Sequence, residues 1–387
     1  MVETIFTPVK VGYVPYSKDL QHPADRRRLA AWAKSNKGKL NVENPLDSDI
    51  LVLTNAANFE FWSSKATQPV ILDLVDGYMG EHPNFFVDFA RNSLRSLQGT
   101  SNLKWIIYTR HLKAACQRSD AVIVASPEQR EAILKYNKNV FVISDDHSEL
   151  STNGGQRVNR SPSTPSAKRE KYLFWEGFGY TLKHFQLIAK ELDSFLARES
   201  WRMYILTVPI FPRWGGFLGK VNTQSLIRKW FPKSWGRIEV IPWSLENVER
   251  FSSKSQVAII PIDKKDKFAS LKSENKLLSM WQLGLPVLFS NIPAYSRVAN
   301  ASGQCSFCID DAQWAAAFDS LLEPRNLLAL EDEGRRLYLS QFHTHEILMN
   351  KWSRVIEKYA SVKREGFDSS IRKTNRSFQA SIYRDKE

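Results

Sequence analysis

Residues 272–290 read KSENKLLSMWQLGLPVLFS, and this stretch decides the fold class. Ser273 comes just before an apolar segment with helical spacing, where serine commonly caps a helix. Gly284 follows that segment, and glycine is the usual residue at the end of a helix. Residues 287–289 then have the short apolar pattern of a buried strand. The stretch therefore predicts a helix, a glycine stop and a strand, which is one unit of an α/β fold.

The same alternation of short apolar runs and helix-sized spacers continues along the chain. It predicts parallel sheets that are covered by helices on both faces. The helical patterns include 84–97, 102–118 and 345–359, and Ser126 is expected to cap another helix. The fold class is α/β, with two doubly wound domains facing a cleft. We place the strands at 9–15, 50–54, 70–74, 121–125, 140–143, 172–175, 203–207, 238–241, 257–260, 287–289 and 305–309.

Composition suggests where the domains divide. Residues 151–169 are rich in Ser, Thr, Asn, Gly and Pro and hold almost nothing apolar, which is typical of a linker. We therefore predict an N-terminal domain at 1–150, a linker at 151–170 and a C-terminal domain at 171–343. A closing helix at 344–361 and a basic polar tail at 362–387 complete the chain.

Charge and cysteine content narrow the class of protein. The 387 residues include 54 Lys and Arg against 41 Asp and Glu, a net charge of +13 that attracts phosphate-bearing substrates, anionic membranes or polyanions. Three cysteines cannot form a disulfide framework. No apolar run approaches the roughly 20 residues of a membrane-spanning helix, and the first ten residues lack the order of a secretion signal. We therefore expect a cytoplasmic protein.

A second junction resembles the first in its chemistry. Residues 174–184, FWEGFGYTLKH, form a strand, a glycine-containing turn and a helix start. Glycine lets the backbone approach a ligand, and we expect Lys183 to point into the same cleft as Lys272 and Lys276. Lysines beside free N–H groups at a helix start suit a diphosphate. The alternative for either junction alone is a solvated helix cap that bears a lysine.

The Gly-Tyr-Thr-Leu-Lys turn, together with Lys-Ser-x-Asn-Lys-Leu-Leu and Gly-Leu-Pro-Val, resembles the C-terminal domain of GT-B glycosyltransferases. It is similar in particular to the retaining, sugar-nucleotide-dependent group that builds polysaccharides and glycolipids, and the similarity spans residues 10–359. The resemblance implies two Rossmann-like domains, the first for the acceptor and the second for the nucleotide sugar. It implies these donor-binding residues: Gly177, Thr181, Lys183, Pro242, Trp243, Ser244, Lys272, Ser273, Asn275 and Lys276.

The chain departs from that group at its acidic positions. Asp76 stands where the family often has a sugar-contacting histidine, and Leu271 and Ser279 stand where many members keep two glutamates. Glu274 is then a nearby carboxylate. We take Asp76 and Glu274 as the candidate catalytic residues, with His82 as a second candidate base. The alternative for Asp73 and Asp76 is a pair that caps a loop.

Three metal-like spacings carry little weight. Residues 47–49 (Asp-Ser-Asp) precede their strand, which favours a turn. Residues 305–308 (Cys-Ser-Phe-Cys) have no second cysteine pair, and residues 343–345 (His-Thr-His) have no third ligand close in sequence. We predict no metal ion and no cofactor, because lysines and a helix N-terminus can stabilise a leaving diphosphate.

The predicted function is transfer of a sugar from a nucleotide sugar to a saccharide or lipid-linked acceptor, in polysaccharide or glycolipid assembly. The alternatives are a sugar-nucleotide-modifying enzyme, a non-catalytic binding subunit of the same fold and a basic nucleic-acid-binding protein. No zinc-finger, RRM or helix-turn-helix pattern supports the last of these. Nucleic acid is therefore not an expected partner.

One stretch is both basic and rich in tryptophan. Residues 202–237 hold seven Lys and Arg, four Trp if Trp201 is included, and no acidic residue. This composition suits peripheral contact with the inner face of a membrane, although the tryptophans fit a core or a cleft wall equally well. A second basic surface is expected from Arg26, Arg27 and Arg28 with the lysines that follow them.

Overall fold

A computed structural model describes residues 9–36, 38–79, 85–99, 107–150, 171–212, 219–322 and 330–362. In its first half, six parallel strands form one sheet in the order β2-β1-β3-β4-β5-β6. The strands are β1 (Lys10–Val14), β2 (Lys39–Asn41), β3 (Ile50–Thr54), β4 (Val70–Leu74), β5 (Ala121–Val124) and β6 (Val140–Val142). The helices are α1 (Pro23–Arg26), α2 (Leu29–Ser35), α3 (Phe59–Lys65), α4 (Phe85–Leu97), α5 (Tyr108–Arg118) and α6 (Pro127–Leu134).

The second half repeats this arrangement. Its strands are β7 (Tyr172–Glu176), β8 (Arg202–Thr207), β9 (Ile210–Pro212), β10 (Lys220–Asn222), β11 (Ile238–Pro242), β12 (Val257–Ile260), β13 (Val287–Ser290) and β14 (Cys308–Ile309). Six of them form a parallel sheet in the order β11-β8-β7-β12-β13-β14, while β9 and β10 pair as a separate antiparallel hairpin. The helices are α7 (Ala189–Arg198), α8 (Thr223–Trp230), α9 (Leu245–Lys254), α10 (Lys267–Ser270), α11 (Asn275–Gln282), α12 (Pro293–Ser302), α13 (Trp314–Ser320), α14 (Leu330–Phe342) and α15 (His345–Val362).

Local sequence explains most of these elements. All residues of β3, β4, β5, β12 and β13 are buried, as expected for parallel strands covered on both faces. The Ser126 hydroxyl accepts a hydrogen bond from the Gln129 N–H at 3.3 Å, which confirms the predicted cap of α6. Gly284 ends α11 with φ of 72°, a left-handed conformation that favours glycine.

The order of the strands fixes where a ligand can bind. In each sheet the direction of winding reverses once, between β1 and β3 in the first and between β7 and β12 in the second. Ligands of doubly wound sheets bind beyond the carboxyl ends of the strands at such reversals. The predicted fold class, two doubly wound Rossmann-like domains facing a cleft, is confirmed.

The last helix returns the chain to the first sheet. Leu348, Trp352 and Ile356 of α15 are buried in the core that includes Val11 and Ile50. A hydrogen bond adds to this contact, since the Trp32 indole N–H donates to the Ser353 hydroxyl at 2.9 Å. The helix therefore belongs to the packing of the N-terminal half.

The structure differs from the sequence predictions in several segments. β2 and the β9–β10 hairpin were not predicted, because strands of three residues carry too little periodic signal. The predicted strand at 305–309 is a 3₁₀ turn (Cys305–Phe307) followed by the two-residue β14. The start of the predicted helix at 102–118, His82, the linker and nearly all of the tail lie outside the described residues. No helix in the described part combines the length and the apolar character needed to cross a bilayer.

Candidate functional site

A cleft of about 460 Å³ lies at both reversal points. Its lining comes from residues that follow β1, β4 and β6 in the first half and β7 and β12 in the second. The predicted site residues that line it are Asp76, Thr181, Lys272, Ser273, Asn275 and Lys276. The structure therefore brings this group of residues together in one cleft, at the strand ends and the start of α11.

Lys276 is held at the centre of the second-domain wall. Its ammonium group donates to the Glu176 carbonyl oxygen at 2.5 Å and lies 4.6 Å from the centre of the Trp175 ring. Burial lowers the pKa of Lys276 to about 8; the Glu176 carboxylate opposes this shift, and the positive charge of Lys272 adds to it. An anion bound in the cleft would raise the pKa of this lysine again.

Gly177 makes this position of Lys276 possible. A Cβ atom on Gly177 would stand 2.7 Å from the Lys276 ammonium nitrogen and 3.0 Å from the Trp175 indole ring. The Gly177 N–H donates to the Leu206 carbonyl at 3.0 Å, so the backbone here is fixed by the neighbouring strand. Gly177 therefore leaves room for the Lys276 side chain, and it does not itself line the cleft.

The segment after Gly177 forms a nine-residue 3₁₀ helix (Gly179–Leu187). The structure does not place Lys183 in the cleft: its side chain is 59% exposed and pairs with Asp266 at 2.5 Å. The next residue, His184, lines the cleft instead. Burial lowers the pKa of His184 to about 4, with help from the positive charge of Lys272, so the ring is neutral at pH 7.

Three other predicted donor-binding residues, Pro242, Trp243 and Ser244, also lie outside the cleft lining. The Trp243 indole N–H donates to the Glu176 carboxylate at 3.0 Å. Ser244 accepts from the Asn247 N–H at 3.1 Å and caps α9. Pro242 is exposed at the end of β11, an edge strand of its sheet. Of these three residues, only Trp243 is linked to the site, because it bonds to Glu176, whose carbonyl oxygen accepts from Lys276.

Asp76, like Asp145, is a carboxylate of the first-domain wall. It follows β4, lines the cleft, and its Oδ1 accepts from the Gly77 N–H at 2.8 Å. Its negative charge reaches the opposite wall: Tyr180 is exposed at the cleft, but partial desolvation there raises its pKa to about 12, and the charge of Asp76 adds to the rise. The two walls are therefore close enough to act on one ligand.

Asp73 has a different place from the one expected. It lies inside β4, fully buried, and its carboxylate pairs with Arg28 at 2.6 Å. Arg28 also pairs with Asp145 at 3.0 Å, and the Asp145 N–H donates to the Asn275 side-chain oxygen at 3.3 Å. Asp73 is thus part of a buried ion cluster that supports the cleft from behind, and Arg28 is not part of a basic surface.

Glu274 is not brought into the cleft. It is buried and pairs with Arg297 at 2.9 Å, and Arg297 also binds Glu128 of α6 at 2.7 Å. The cluster joins the two halves of the chain. Since its charge is neutralised away from the cleft, Glu274 does not contact a ligand there. The unusual Ser279 is likewise internal and donates to the Lys276 carbonyl at 2.8 Å.

Sequence reasoning missed several residues of the lining. They are mostly aromatic or histidine side chains, and they lie in loops, in the 3₁₀ helix and in α12. For those in loops, the one available cue was their position just after a strand. His22 shows what such a residue contributes: its Nδ1 accepts from the Ala24 N–H at 3.2 Å, which leaves the proton of the neutral ring on Nε2. The missed residues are Tyr16, His22, Tyr78, Asp145, Phe178, Tyr180, His184 and Tyr295.

No group of three His, Cys, Asp or Glu side chains in the described part of the chain is arranged to hold a metal ion. Residues 47–49 form bends that precede β3, and the Asp49 carboxylate accepts from the Lys10 N–H at the start of β1 at 2.9 Å. Cys305 is exposed and contacts Asn300.

No protein-family model matches the sequence, and no curated protein matches it. Solved structures do. An α-glucosyltransferase solved with UDP and a DNA 13-mer is similar over 91% of this chain and 100% of its own, at 11% identity and a TM-score of 0.56. AviGT4, a glycosyltransferase involved in avilamycin A biosynthesis, is similar over 92% of this chain and 98% of its own, at 12% identity and a TM-score of 0.55. The chain has the GT-B fold.

The GT-B likeness extends to larger proteins. TarM is similar over 79% of this chain, at 12% identity and a TM-score of 0.53, and this chain spans 54% of the length of TarM. At such low identity the GT-B fold is what these likenesses establish, and the chemistry has to be argued from the cleft.

Proposed function

We propose that this GT-B protein is a glycosyltransferase that moves a sugar from a nucleotide-sugar donor to a hydroxyl acceptor in polysaccharide or glycolipid assembly. The observation that carries the proposal is the position of Lys272 and Lys276, together at the start of α11, in the cleft between the two sheets. A nucleotide sugar offers a diphosphate to these lysines and a reactive carbon to the opposite wall.

The donor site follows from charge. The first N–H groups of α11 have no partner within the helix and carry part of its positive dipole. With Lys272 and Lys276 they surround the place where a diphosphate leaving group gains negative charge as the glycosidic bond breaks. Ser273 and Asn275 supply neutral hydrogen bonds beside them. We propose that this stabilisation needs no metal ion.

The acceptor side needs a carboxylate, and Asp76 is the proposed one. A general base must reach the acceptor hydroxyl, and Asp76 lines the wall across from the lysines. Its pairing with the N–H of Gly77 orients the carboxylate without neutralising it. We do not propose a catalytic role for Glu274, because its carboxylate is paired with Arg297.

The solved neighbours support a nucleotide-sugar donor. One was crystallised with UDP, and AviGT4 is described as a glycosyltransferase. The first of these structures also contains DNA, but nothing in the cleft of this chain requires a nucleic acid. For this chain we propose a saccharide or lipid-linked acceptor, and a place in the cytoplasm at the inner face of the membrane.

A two-part experiment tests the proposal. Thermal shift against UDP-, GDP-, ADP- and CMP-sugars identifies the donor, since a ligand at 100 times its Kd adds about 2.7 kcal/mol to stability. Product analysis of that donor with an acceptor pool then compares the wild type with Asp76→Asn. We expect transfer by the wild type and loss of transfer with retained donor binding in the variant.

The outcome also separates the alternatives. A modified sugar nucleotide formed without acceptor would indicate a sugar-nucleotide-modifying enzyme. Binding without turnover, in the wild type as in Asp76→Asn, would indicate a binding subunit. Either result would contradict the proposed transfer.

A further inference from the structure

The β9–β10 hairpin stands apart from the sheet beside it. Six parallel strands complete the second sheet without it, and the hairpin is inserted between β8 and α8. Residues of its strands alternate in exposure: Ile210 and Pro212 are exposed, while Phe211 packs against the core of the second half. Since neighbouring strand residues point to opposite faces, the hairpin presents one apolar row to solvent.

This outward row is unusually apolar for a small protruding element. Val208, Ile210 and Pro212 are all exposed, and Ile210 is 54% exposed. The exposed residues of the partner strand, Lys220 and Asn222, lie opposite Pro212 and Ile210. The hairpin therefore combines an apolar strand with a basic one.

Helix α8 continues the same surface. It begins directly after β10, and Thr223 fixes it to the hairpin: its N–H donates to the Pro209 carbonyl at 2.9 Å and its hydroxyl to that of Val208 at 2.8 Å. Arg228 and Lys229 are exposed on α8, and Arg228 lies 4.5 Å from the ring centre of the exposed Trp235. An arginine stacked on an exposed tryptophan suits the headgroup region of a bilayer.

The charges on this surface have one sign. Residues 202–237 contain no Asp or Glu. Among the described residues, no carboxylate pairs with Lys220, Arg228 or Lys229. Unpaired cations around exposed apolar side chains complement an anionic lipid bilayer, which takes up both.

The surface also adjoins the cleft. Phe211, on the inner side of β9, fills the space where a Cβ of Gly179 would stand. Gly179 lies between Phe178 and Tyr180, which are exposed, stacked on one another and part of the cleft lining. A membrane that meets the hairpin would therefore lie beside the cleft mouth.

We propose that the outer face of the β9–β10 hairpin, with the exposed side of α8 and Trp235, docks on an anionic lipid bilayer. This surface specifies how the protein reaches a lipid-linked acceptor, and in that respect it rests on the proposed function. The docking itself does not depend on turnover.

Sedimentation of the full chain with vesicles tests the docking. We expect binding to vesicles of phosphatidylcholine that contain about 30% phosphatidylglycerol, because this anionic lipid gives the vesicle a negative surface potential. Binding to vesicles of phosphatidylcholine alone should be weak. Ile210→Asp should reduce the bound fraction strongly, and Lys229→Glu should reduce affinity at least fivefold, on the basis of about fivefold for each basic residue.

Matched substitutions elsewhere control for surface changes in general. Leu337 has the same exposed fraction as Ile210, 54%, and lies on α14; Lys138 is an exposed lysine of the first half. Leu337→Asp and Lys138→Glu should bind vesicles as the wild type does. Equal losses for the hairpin and control variants, or equal binding to both lipids, would overturn the proposal. Because no donor is present, this result is independent of whether glycosyl transfer is observed.

Discussion

The Lys276 ammonium group donates to the carbonyl oxygen of Glu176 at 2.5 Å. The bond joins the start of α11 to the carboxyl end of β7, two segments separated by 100 residues in sequence. It places a partly buried positive charge at the reversal point of the second sheet, where the topology alone predicts a ligand. The proposed donor site depends on this placement.

Gly177 gives a first prediction. Gly177→Ala puts a methyl group 2.7 Å from the Lys276 nitrogen, so the lysine must move. We expect donor affinity to fall by about tenfold, which is about 1.4 kcal/mol, as measured by calorimetric titration. Gly236→Ala is the control, because a Cβ there has no atom within 4 Å among the described residues. Unchanged affinity in Gly177→Ala would show that the lysine position does not matter for binding.

The lowered pKa of Lys276 predicts a pH dependence. The diphosphate binds the charged amine, and that charge is lost as pH rises through about 8 in the free protein. Donor affinity should therefore be constant below pH 7 and fall between pH 8 and 10. Lys276→Gln should bind weakly with no such fall. An alkaline decline of equal size in both proteins would assign it to another group.

The same shift affects stability with the opposite sign. Because the folded pKa of Lys276 lies below the unfolded value of 10.5, the folded state binds fewer protons between pH 8 and 10.5. The contribution of this residue to the free energy of unfolding should rise with pH in that window. Comparing wild type and Lys276→Gln by urea unfolding at pH 7.5 and 9.5 measures it; a contribution that falls with pH would contradict the assignment.

Asp73 and Asp76 should separate stability from activity. Asp73→Ala leaves Arg28 buried with half of its neutralising charge removed, which typically costs about 3–5 kcal/mol. Asp76→Ala removes a cleft carboxylate and should change the unfolding free energy by less than about 1 kcal/mol, while transfer is lost. Urea unfolding and product assays on both variants check this. A large loss of stability in Asp76→Ala would show that Asp76 has a structural role, and this would contradict the prediction.

The Glu128–Arg297 pair predicts a loss of stability in acid. Burial raises the pKa of Glu128, but the hydrogen bond to Arg297, the other hydrogen bonds of this carboxylate and the Arg297 charge together lower it more, so the pKa lies below its ordinary value of 4.5. A carboxyl with a lowered folded pKa stabilises the fold above its unfolded pKa and loses this effect as pH falls. Glu128→Gln should unfold more easily at pH 7, by about 1–3 kcal/mol, with a smaller difference at pH 3.5.

The matched control for that pair lies on the same helix. Glu131 of α6 is 70% exposed and pairs only with its neighbour Arg130 among the described contacts. Glu131→Gln should change stability little at either pH. If it behaves as Glu128→Gln does, the acid effect is a general property of surface charge.

The fold was predictable because parallel strands are continuous apolar runs. β3, β4 and β12 begin and end where the sequence predicted, since strands that are buried on both faces have nearly continuous apolar sequences. The approximate start of α11 was predictable from the polar residues that stand before a strong apolar segment. The predicted cap was wrong, because the N-cap residue is Glu274 and not Ser273, and no side chain caps the helix.

The remaining errors have physical causes. Lys183 was expected in the cleft on the basis of an α-helical start, but the segment is a 3₁₀ helix with about three residues per turn, which turns His184 inward instead. Glu274 was expected to act in the cleft, but it pairs with Arg297, and no local sequence pattern reveals this partner. Tyr16 is fixed by its N–H bond to Asp25 at 2.9 Å, which depends on how a loop folds.

Titration of the donor identified by thermal shift into wild type, Lys276→Ala and Lys183→Ala tests the central claim most directly. Both substitutions remove one lysine from a predicted diphosphate site, but only Lys276 lines the cleft. We predict that Lys276→Ala weakens binding about 10- to 150-fold, the equivalent of a charged hydrogen bond, and that Lys183→Ala binds as the wild type does. Equal affinity in all three proteins, or a loss confined to Lys183→Ala, would contradict the account.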